Sequence, residues 1–361
     1  MAPKAPKTGI QVGDHFPPFE AMSAEGKPVK LDDDALAGRP RLIVFLRDPD
    51  APEAAAALRR LAVWTEHLDA LGCRVFVVLP LPPAAAKAKA AVLGLRFGIL
   101  CDPESKAARA LTPFLMEAAG PPLASLLLRP NRQVQAVLGA EADDHGDIAC
   151  AYVEKLSHER AWRLHTGPAA PVLFVPDVFS PADCQHLMTV FAMQGNEYVA
   201  AGHGTQGRTQ DYKMRIPDYG RNDRIDHWVV TPETTEFIAD RLFARVAPVV
   251  QRAFHYRLTR YERFRIARYE ASDDAKGIVG AAHGHRDNTE AAVAHRRFAC
   301  SVNLNAEAHE GGGIVFPEFC GTEYAPRTGE AVVFSSSLLH QVMPVRRGTR
   351  FTLLSFLFGE N

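Results

Sequence analysis

His285 and Asp287 stand one residue apart in Ala282-His283-Gly284-His285-Arg286-Asp287, and both are metal-ligand types. His340 lies far downstream as a third candidate ligand, and Arg350 follows it by ten positions in a closing apolar strand. Two imidazoles and one carboxylate on one face of a metal leave three positions open, which suits non-haem Fe(II) and oxygen chemistry. In extended backbone the side chains alternate, so residues i and i+2 project to one face and can share an ion. His283 competes with His285 through His283-x-His285, but only His285 leaves Asp287 in register. His283 is therefore expected to line the entrance or to support the ligands from behind.

Placing such residues needs short strands. After Tyr256 the sequence supplies them at Phe264–Tyr269, Arg297–Leu304, Ile314–Pro317 (following three glycines), Glu330–Phe334 and Thr349–Phe358. Ahead of them, Val172–Val175 is a short apolar run. Ser180-Pro181-Ala182-Asp183 starts a helix with a hydroxyl cap and proline in its first turn. Thr231-Pro232-Glu233 starts a longer helix whose apolar stripe is Phe237, Ile238, Leu242, Phe243, Val246 and Val250. Residues 202–224 read as a long surface loop, with Gly202-His203-Gly204 as a lid. Arg208, Arg215, Arg221 and Arg224 read as a solvated cluster, or as a grip on an acidic substrate. His203, His227, His295 and His309 are expected at the surface. Two helices followed by short strands predict a double-sheet jelly roll with a helical layer.

The first half has another rhythm. Residues 1–13 form a polar leader. Residues 14–164 alternate strands (Arg41–Leu46, Arg74–Leu79, Phe97–Leu100) with helices (Glu53–Leu71, Ala84–Leu93, Glu104–Leu111). They end in a hairpin, Leu123–Arg129 and Gln133–Leu138, and a helix from Asp147 to Leu164. This predicts a three-layer α/β domain. Gly and Pro in residues 165–171 mark a linker, and 172–361 form the second domain.

Composition allows two domains: 361 residues with 47% apolar content. A net charge of −1 offers no overall field for nucleic acid or an anionic membrane. Six scattered cysteines, without a CxxC pair, argue against a disulfide scaffold or zinc ribbon. No apolar run approaches a membrane span, and the protein is expected to be cytoplasmic.

These motifs, in this order, resemble the Fe(II)/2-oxoglutarate dioxygenases, and among them the prolyl 4-hydroxylase-like branch, over residues 172–361. The resemblance implies a double-stranded β-helix with His285, Asp287 and His340 as iron ligands. It implies that Arg350 pairs with the far carboxylate of 2-oxoglutarate, assisted by Thr352, and that Tyr269 hydrogen-bonds the cosubstrate. Asn303 stands where relatives often carry a second contacting tyrosine. The implied cofactors are Fe(II), 2-oxoglutarate and O2, with ascorbate as an auxiliary reductant. The implied reaction is hydroxylation of an amino acid, peptide or small molecule coupled to decarboxylation of 2-oxoglutarate to succinate. Asp287 favours hydroxylation, because related halogenases leave that position open for chloride.

The first half resembles thioredoxin-like, peroxiredoxin-type (redoxin) domains through Gly13-Asp14-His15-Phe16-Pro17-Pro18-Phe19, the strand Leu42–Leu46, and Leu100-Cys101-Asp102-Pro103. That family carries its reactive cysteine in the loop after the first of these strands. Here the loop is Arg47-Asp48-Pro49-Asp50-Ala51-Pro52-Glu53, without cysteine. The expectation is a non-peroxidatic domain that stabilises, docks or forms a homodimer, with Cys101 the one candidate reactive thiol. A silent scaffold and a thiol peroxidase with an accessory barrel are the competing readings.

Overall fold

A computed structural model describes residues 9–117, 120–139, 145–159, 165–193, 197–199, 224–271 and 284–360. The chain forms two compact units that part between Leu164 and His165. Among the described residues no helix is long and apolar enough to cross a membrane.

The first unit opens with a hairpin, β1 (Glu20–Ser23) and β2 (Pro28–Lys30). There follow β3 (Arg41–Leu46), α1 (Pro52–Val63), α2 (Thr65–Ala70), β4 (Arg74–Leu79), α3 (Pro83–Val92), β5 (Gly98–Cys101) and α4 (Lys106–Leu111). A second hairpin, β6 (Leu123–Leu128) and β7 (Val134–Gly139), leads to α5 (His145–Glu159). The sheet runs β2-β1-β5-β4-β3-β6-β7, with β3, β4 and β5 parallel and β6 antiparallel to β3. All six residues of β3 are buried because both faces are covered. Leu42, Val44 and Leu46 pack with Leu58 and Leu61 of α1 and Val153 of α5, while Ile43 and Phe45 pack on the opposite face with Leu111 and Leu115.

This is the three-layer α/β architecture of a thioredoxin-like domain, with three differences from the sequence pattern. The β1–β2 hairpin was not anticipated, because its residues are largely exposed or half-buried and leave little apolar signal. The single helix expected over Glu53–Leu71 is two. Near Trp64 the Thr65 hydroxyl bonds the Ala62 carbonyl, and the Trp64 indole is drawn to Asp147 Oδ1 at 2.7 Å. The last helix starts at His145, and residues 160–164 of the expected helix lie outside the described residues.

The second unit contains β8 (Leu173–Val175), α6 (Pro181–Met193), β9 (Glu197–Val199), β10 (Arg224–Trp228), α7 (Pro232–Arg245), α8 (Ala247–Phe254), β11 (Arg260–Tyr261) and β12 (Arg265–Glu270). It continues with β13 (Phe298–Asn303), β14 (His309–Gly311), β15 (Ile314–Phe316), β16 (Cys320–Tyr324), β17 (Ala331–Ser335), β18 (Gln341–Val342) and the long β19 (Val345–Phe358). The major antiparallel sheet runs β8-β17-β13-β19-β12-β10-β9, with β11 and β14 also paired to β19. A minor sheet runs β16-β15-β18. Together they make the double-sheet jelly roll.

At α6 the cap forms as expected: Ser180 N donates to Asp183 Oδ2 at 3.0 Å and Asp183 N to Ser180 Oγ at 3.1 Å. The helix expected from Thr231 through Val250 is broken at Val246 into α7 and α8. Pro248 has no N–H to continue the ladder, and its ring would crowd the carbonyl of Ala244. Both helices still bury the expected stripe, Ile238, Leu242, Val246 and Val250, against Ile266, Cys300, Val302, Leu353 and Leu357 of the major sheet.

Strand parity then decides what faces inward. In β19, Leu353 and Leu357 face the helices, and Phe356 joins Phe316 and Phe334 in the core between the sheets. Arg350 and Thr352 share the parity of Phe356, so they share its inner face. In β12, Ile266 faces the helices, which turns Ala267 and Tyr269 inward. The register pairs Tyr269 with Arg350, and Thr352 with both Ala267 and Asn303. A slip of one residue would carry all of these side chains to the helical face.

Candidate metal centre

His285 and His340 form an isolated antiparallel bridge, His285 N to His340 O at 2.9 Å and His340 N to His285 O at 3.0 Å. The bridge sets the two rings side by side, with centroids 4.5 Å apart. Gly284 makes the approach feasible. Its φ is +77°, and a Cβ there would lie 2.8 Å from the His340 carbonyl oxygen. Asp287 completes the group: its Oδ1 is 3.4 Å from His285 Nε2 and its Oδ2 is 3.6 Å from His340 Nε2. All three donor atoms lie within 4.8 Å of one another.

Donors about 2.1 Å from a divalent ion, on adjacent positions, stand about 3 Å apart. The triangle is therefore close to metal-binding size and closes with small side-chain shifts. Its chemistry, two nitrogens and one carboxylate oxygen, fits Fe(II). His340 is nearly buried, against the Phe334 ring at 4.7 Å between centroids, and its Nδ1–H donates to the Leu338 carbonyl at 3.0 Å. That bond fixes the tautomer and leaves Nε2 free to ligate. Burial, helped by His285, pulls the His340 pKa below the ordinary imidazole value, against the pull of Asp287 and Leu338. Burial pushes the Asp287 carboxyl up, but hydrogen bonding to His285 and the charges of His340, His285 and Arg296 outweigh it, leaving the group below the usual carboxylate range. Both shifts favour the metal-ligating protonation states.

The Asp287 loop is anchored from outside. Asp287 N donates to Ser336 O at 2.9 Å. Arg296 Nη1 donates to Asp287 O at 3.1 Å, while the same guanidinium forks onto Glu262 at 2.7 Å twice and lies over Phe356. The sequence pattern gave no hint of Arg296 or Glu262, since their pairing spans 34 positions.

Arg350 is 2% exposed, with its guanidinium 5.2 Å from the centre of the Tyr269 ring. Its stem lies over Gly312, where a Cβ would come within 2.7 Å of Arg350 Cδ. Among the described residues no carboxylate reaches ion-pair distance of it, although Glu323 acts on it at longer range. Burial lowers the Arg350 pKa, and Tyr269 and Glu323 oppose the shift. A buried cation of this kind fits an anionic ligand group.

The other sequence candidates divide. Tyr269 lies against Arg350. The buried Thr352 hydroxyl donates to Val302 O at 2.8 Å and meets Ser301 Oγ at 3.0 Å, so its proton is already engaged. Asn303 Nδ2 donates to Pro326 O at 3.1 Å and lies 3.2 Å from His309 Nε2, while Oδ1 faces Asn305 N at 3.4 Å. Both ends of that amide serve the protein. His309, expected at the surface, is half-buried, and its pKa is lowered by burial and then by Arg350. A histidine on a three-residue strand carries no apolar period that would have revealed this. His227 is also buried, against expectation, packing edge-on to Phe191. His295 is exposed and lies 2.9 Å from Glu262. Ala282, His283, His203, Arg208, Arg215 and Arg221 lie outside the described residues, and Arg224 begins β10.

Cys101 is buried and its pKa is raised, first by burial, so the environment does not activate it. The activated thiol is Cys320, held near 7 by hydrogen bonds from Tyr324 and then Thr322.

A jelly roll bearing two histidines and one carboxylate with open positions is the architecture of an iron-dependent oxygenase domain. Residues 265–358 match the family model described as the 2OG-Fe(II) oxygenase superfamily, and residues 12–137 match the AhpC/TSA family. The chain thus carries a redoxin domain and a 2OG-Fe(II) oxygenase domain. It is an oxidoreductase of the dioxygenase class, and its oxygenase family uses Fe(II), 2-oxoglutarate and O2. Comparison with curated proteins gives no match. Similar solved structures include peroxidoxin BcpB of Mycobacterium tuberculosis, at 18% identity and TM-score 0.36, covering 40% of this chain and 97% of that one. PrxQ of Xylella fastidiosa is similar at 11% identity and TM-score 0.37, covering 40% and 96%. Peroxiredoxin Q of Xanthomonas campestris gives 18% and 0.34, covering 38% and 91%.

Proposed function

We propose that residues 172–361 hydroxylate an unactivated C–H bond of an amino acid, a peptide or protein residue, or a small molecule, converting 2-oxoglutarate to succinate and CO2. The observation that carries this reading is the metal-sized donor triangle in the same barrel as a buried guanidinium without a carboxylate partner among the described residues.

In this reading His285, Asp287 and His340 would hold Fe(II), which supplies oxygen activation when bound. Asp287 offsets one of its two charges. Arg350 forks onto the far carboxylate of the cosubstrate, and burial strengthens that pair. Tyr269 packs against the guanidinium and orients it. His285 is the exposed member of the three, and in this reading a substrate would approach from its side. Residues 9–164 serve as a non-peroxidatic docking or dimerising domain, with 165–171 as linker; the leader expected over 1–13 does not extend past residue 8, because buried Ile10 packs into that domain's core and its N–H bonds Leu111 O at 3.0 Å.

The test is O2 uptake and succinate release that require iron and 2-oxoglutarate, combined with calorimetric binding of both. His285→Ala and Asp287→Ala should abolish turnover and weaken iron binding. If the wild-type chain binds neither iron nor 2-oxoglutarate, the reading fails.

A further inference from the structure

A second cluster of metal-ligand side chains lies in the first unit. His67 on α2 and Cys150 and Glu154 on α5 place one donor atom each within 4.8 Å of the others. His67 Nε2 and Glu154 Oε1 are 2.8 Å apart, and the Cys150 sulfur lies within 4.8 Å of both. We propose that these three residues bind a borderline divalent transition-metal ion of the Zn(II) class, with solvent as fourth ligand.

Four observations support this. Cys150 and Glu154 are four residues apart on one helix and so lie one above the other on the same face. The face is pinned toward α1 and α2 by Asp147, one turn earlier, which takes hydrogen bonds from Trp64 Nε1 and Arg60. Gly146 lets α5 approach closely: a Cβ there would lie 2.9 Å from Leu61 Cα. The donors also alternate in access, with Cys150 buried beneath His67 and Glu154, which are 44% and 46% exposed. An ion can therefore enter from solvent and meet a sheltered sulfur.

The chemistry matches this geometry. Thiolate and carboxylate together carry two negative charges, and a neutral imidazole adds none, so a divalent ion gives a neutral site. Sulfur and nitrogen donors select Zn(II)-like ions over Mg(II) or Ca(II). Tetrahedral Zn(II), with bonds of about 2.3 Å to sulfur and about 2.0–2.1 Å to nitrogen and oxygen, needs donors roughly 3.4–3.6 Å apart. The His67–Glu154 contact would open by somewhat over half an ångström. Without an ion, burial and then the charges of Glu154 and Asp147 raise the Cys150 pKa; a bound dication reverses that balance. Metal binding releases the thiol proton to solvent. The ion would tie together positions 87 residues apart in sequence, clipping the last helix to the first helical layer.

The experiment is Co(II) titration of the full-length chain, read by the sulfur-to-cobalt charge-transfer band. The His285–Asp287–His340 group contains no sulfur, so the band reports only cysteine ligation. The wild type should develop the band, Cys150→Ser should lose it, and Zn(II) should bleach it. His67→Gln and Glu154→Gln change exposed side chains, so they test the site even if Cys150→Ser loosens α5. Each should weaken Co(II) affinity at least about tenfold. A folded wild type without the band, a band that survives in Cys150→Ser, or affinities unmoved in both exposed variants would overturn the proposal.

Discussion

Replacing Arg350 with methionine should make the cosubstrate-free protein more stable and the cosubstrate complex far weaker. The guanidinium is 2% exposed and faces no carboxylate at ion-pair distance among the described residues. Its compensation is the Tyr269 ring at 5.2 Å and the more distant Glu323 charge. Such ring contacts contribute about 0.5–2 kcal/mol, whereas desolvating a charge costs several kcal/mol. Methionine keeps the unbranched stem that lies over Gly312 and removes the charge. Exchanges of buried ionic groups for apolar ones stabilise by up to about 1–4 kcal/mol, and each kcal/mol moves the melting point by about 2–4 °C in a domain near 200 residues. With 2-oxoglutarate present the sign reverses. Removing one partner of a buried pair costs about 3–5 kcal/mol, roughly two to nearly four powers of ten in affinity. Thermal unfolding without cosubstrate and calorimetry on metal-loaded, oxygen-free protein measure the two effects. Arg350→Lys should fall between, since a point charge cannot fork. A variant that melts lower without cosubstrate and binds 2-oxoglutarate like wild type would refute the reasoning.

Three further outcomes follow from local geometry. Gly284→Ala forces a side chain into φ +77° and against the His340 carbonyl, so it should cost about 1–3 kcal/mol and weaken iron affinity; unchanged iron titration would contradict the bridge geometry. Cys320 should alkylate with a pH midpoint of about 7, faster above it as thiolate accumulates, while Cys184 and Cys300, at about 12, stay inert. In Tyr324→Phe the Cys320 midpoint should move up, which peptide mass spectrometry after timed alkylation will show.

Much of the layout was legible because apolar runs in this chain are long and cleanly bounded. The strands Arg41–Leu46 and Arg74–Leu79 fall where their apolar content ends. The helix stop at Val246 was also written in the sequence, as Pro248, but the apolar stripe through Val250 masked it. The His285-x-Asp287 pair was visible because adjacent ligands follow from strand alternation alone. The supports were not visible. Arg296 and Glu262 meet across a fold, and so do His67 and Glu154. Such pairs leave no periodic trace, since each residue alone looks like an ordinary surface charge. Asn303 and Thr352 show the converse limit. The family resemblance pointed to them and strand parity sets them on the inner face, but neither says which neighbour takes the hydrogen bond. Local carbonyls, Pro326 O and Val302 O, took both.

Those two captured side chains sharpen the role of Arg350. On the inner face formed by β12, β19 and β13, Thr352 and Asn303 spend their donors on the protein. Tyr269 presents its ring to the guanidinium. What remains unmatched by a carboxylate there, among the described residues, is Arg350 itself. Polar residues beside it that bond the backbone cannot compete for a ligand, and they hold β13, β19 and the Pro326 turn together around it. In the proposed reading, recognition of an anionic cosubstrate on this inner face would rest on that one fork-shaped cation. Its position is set by the same strand alternation that buries Leu353 and Leu357 behind it.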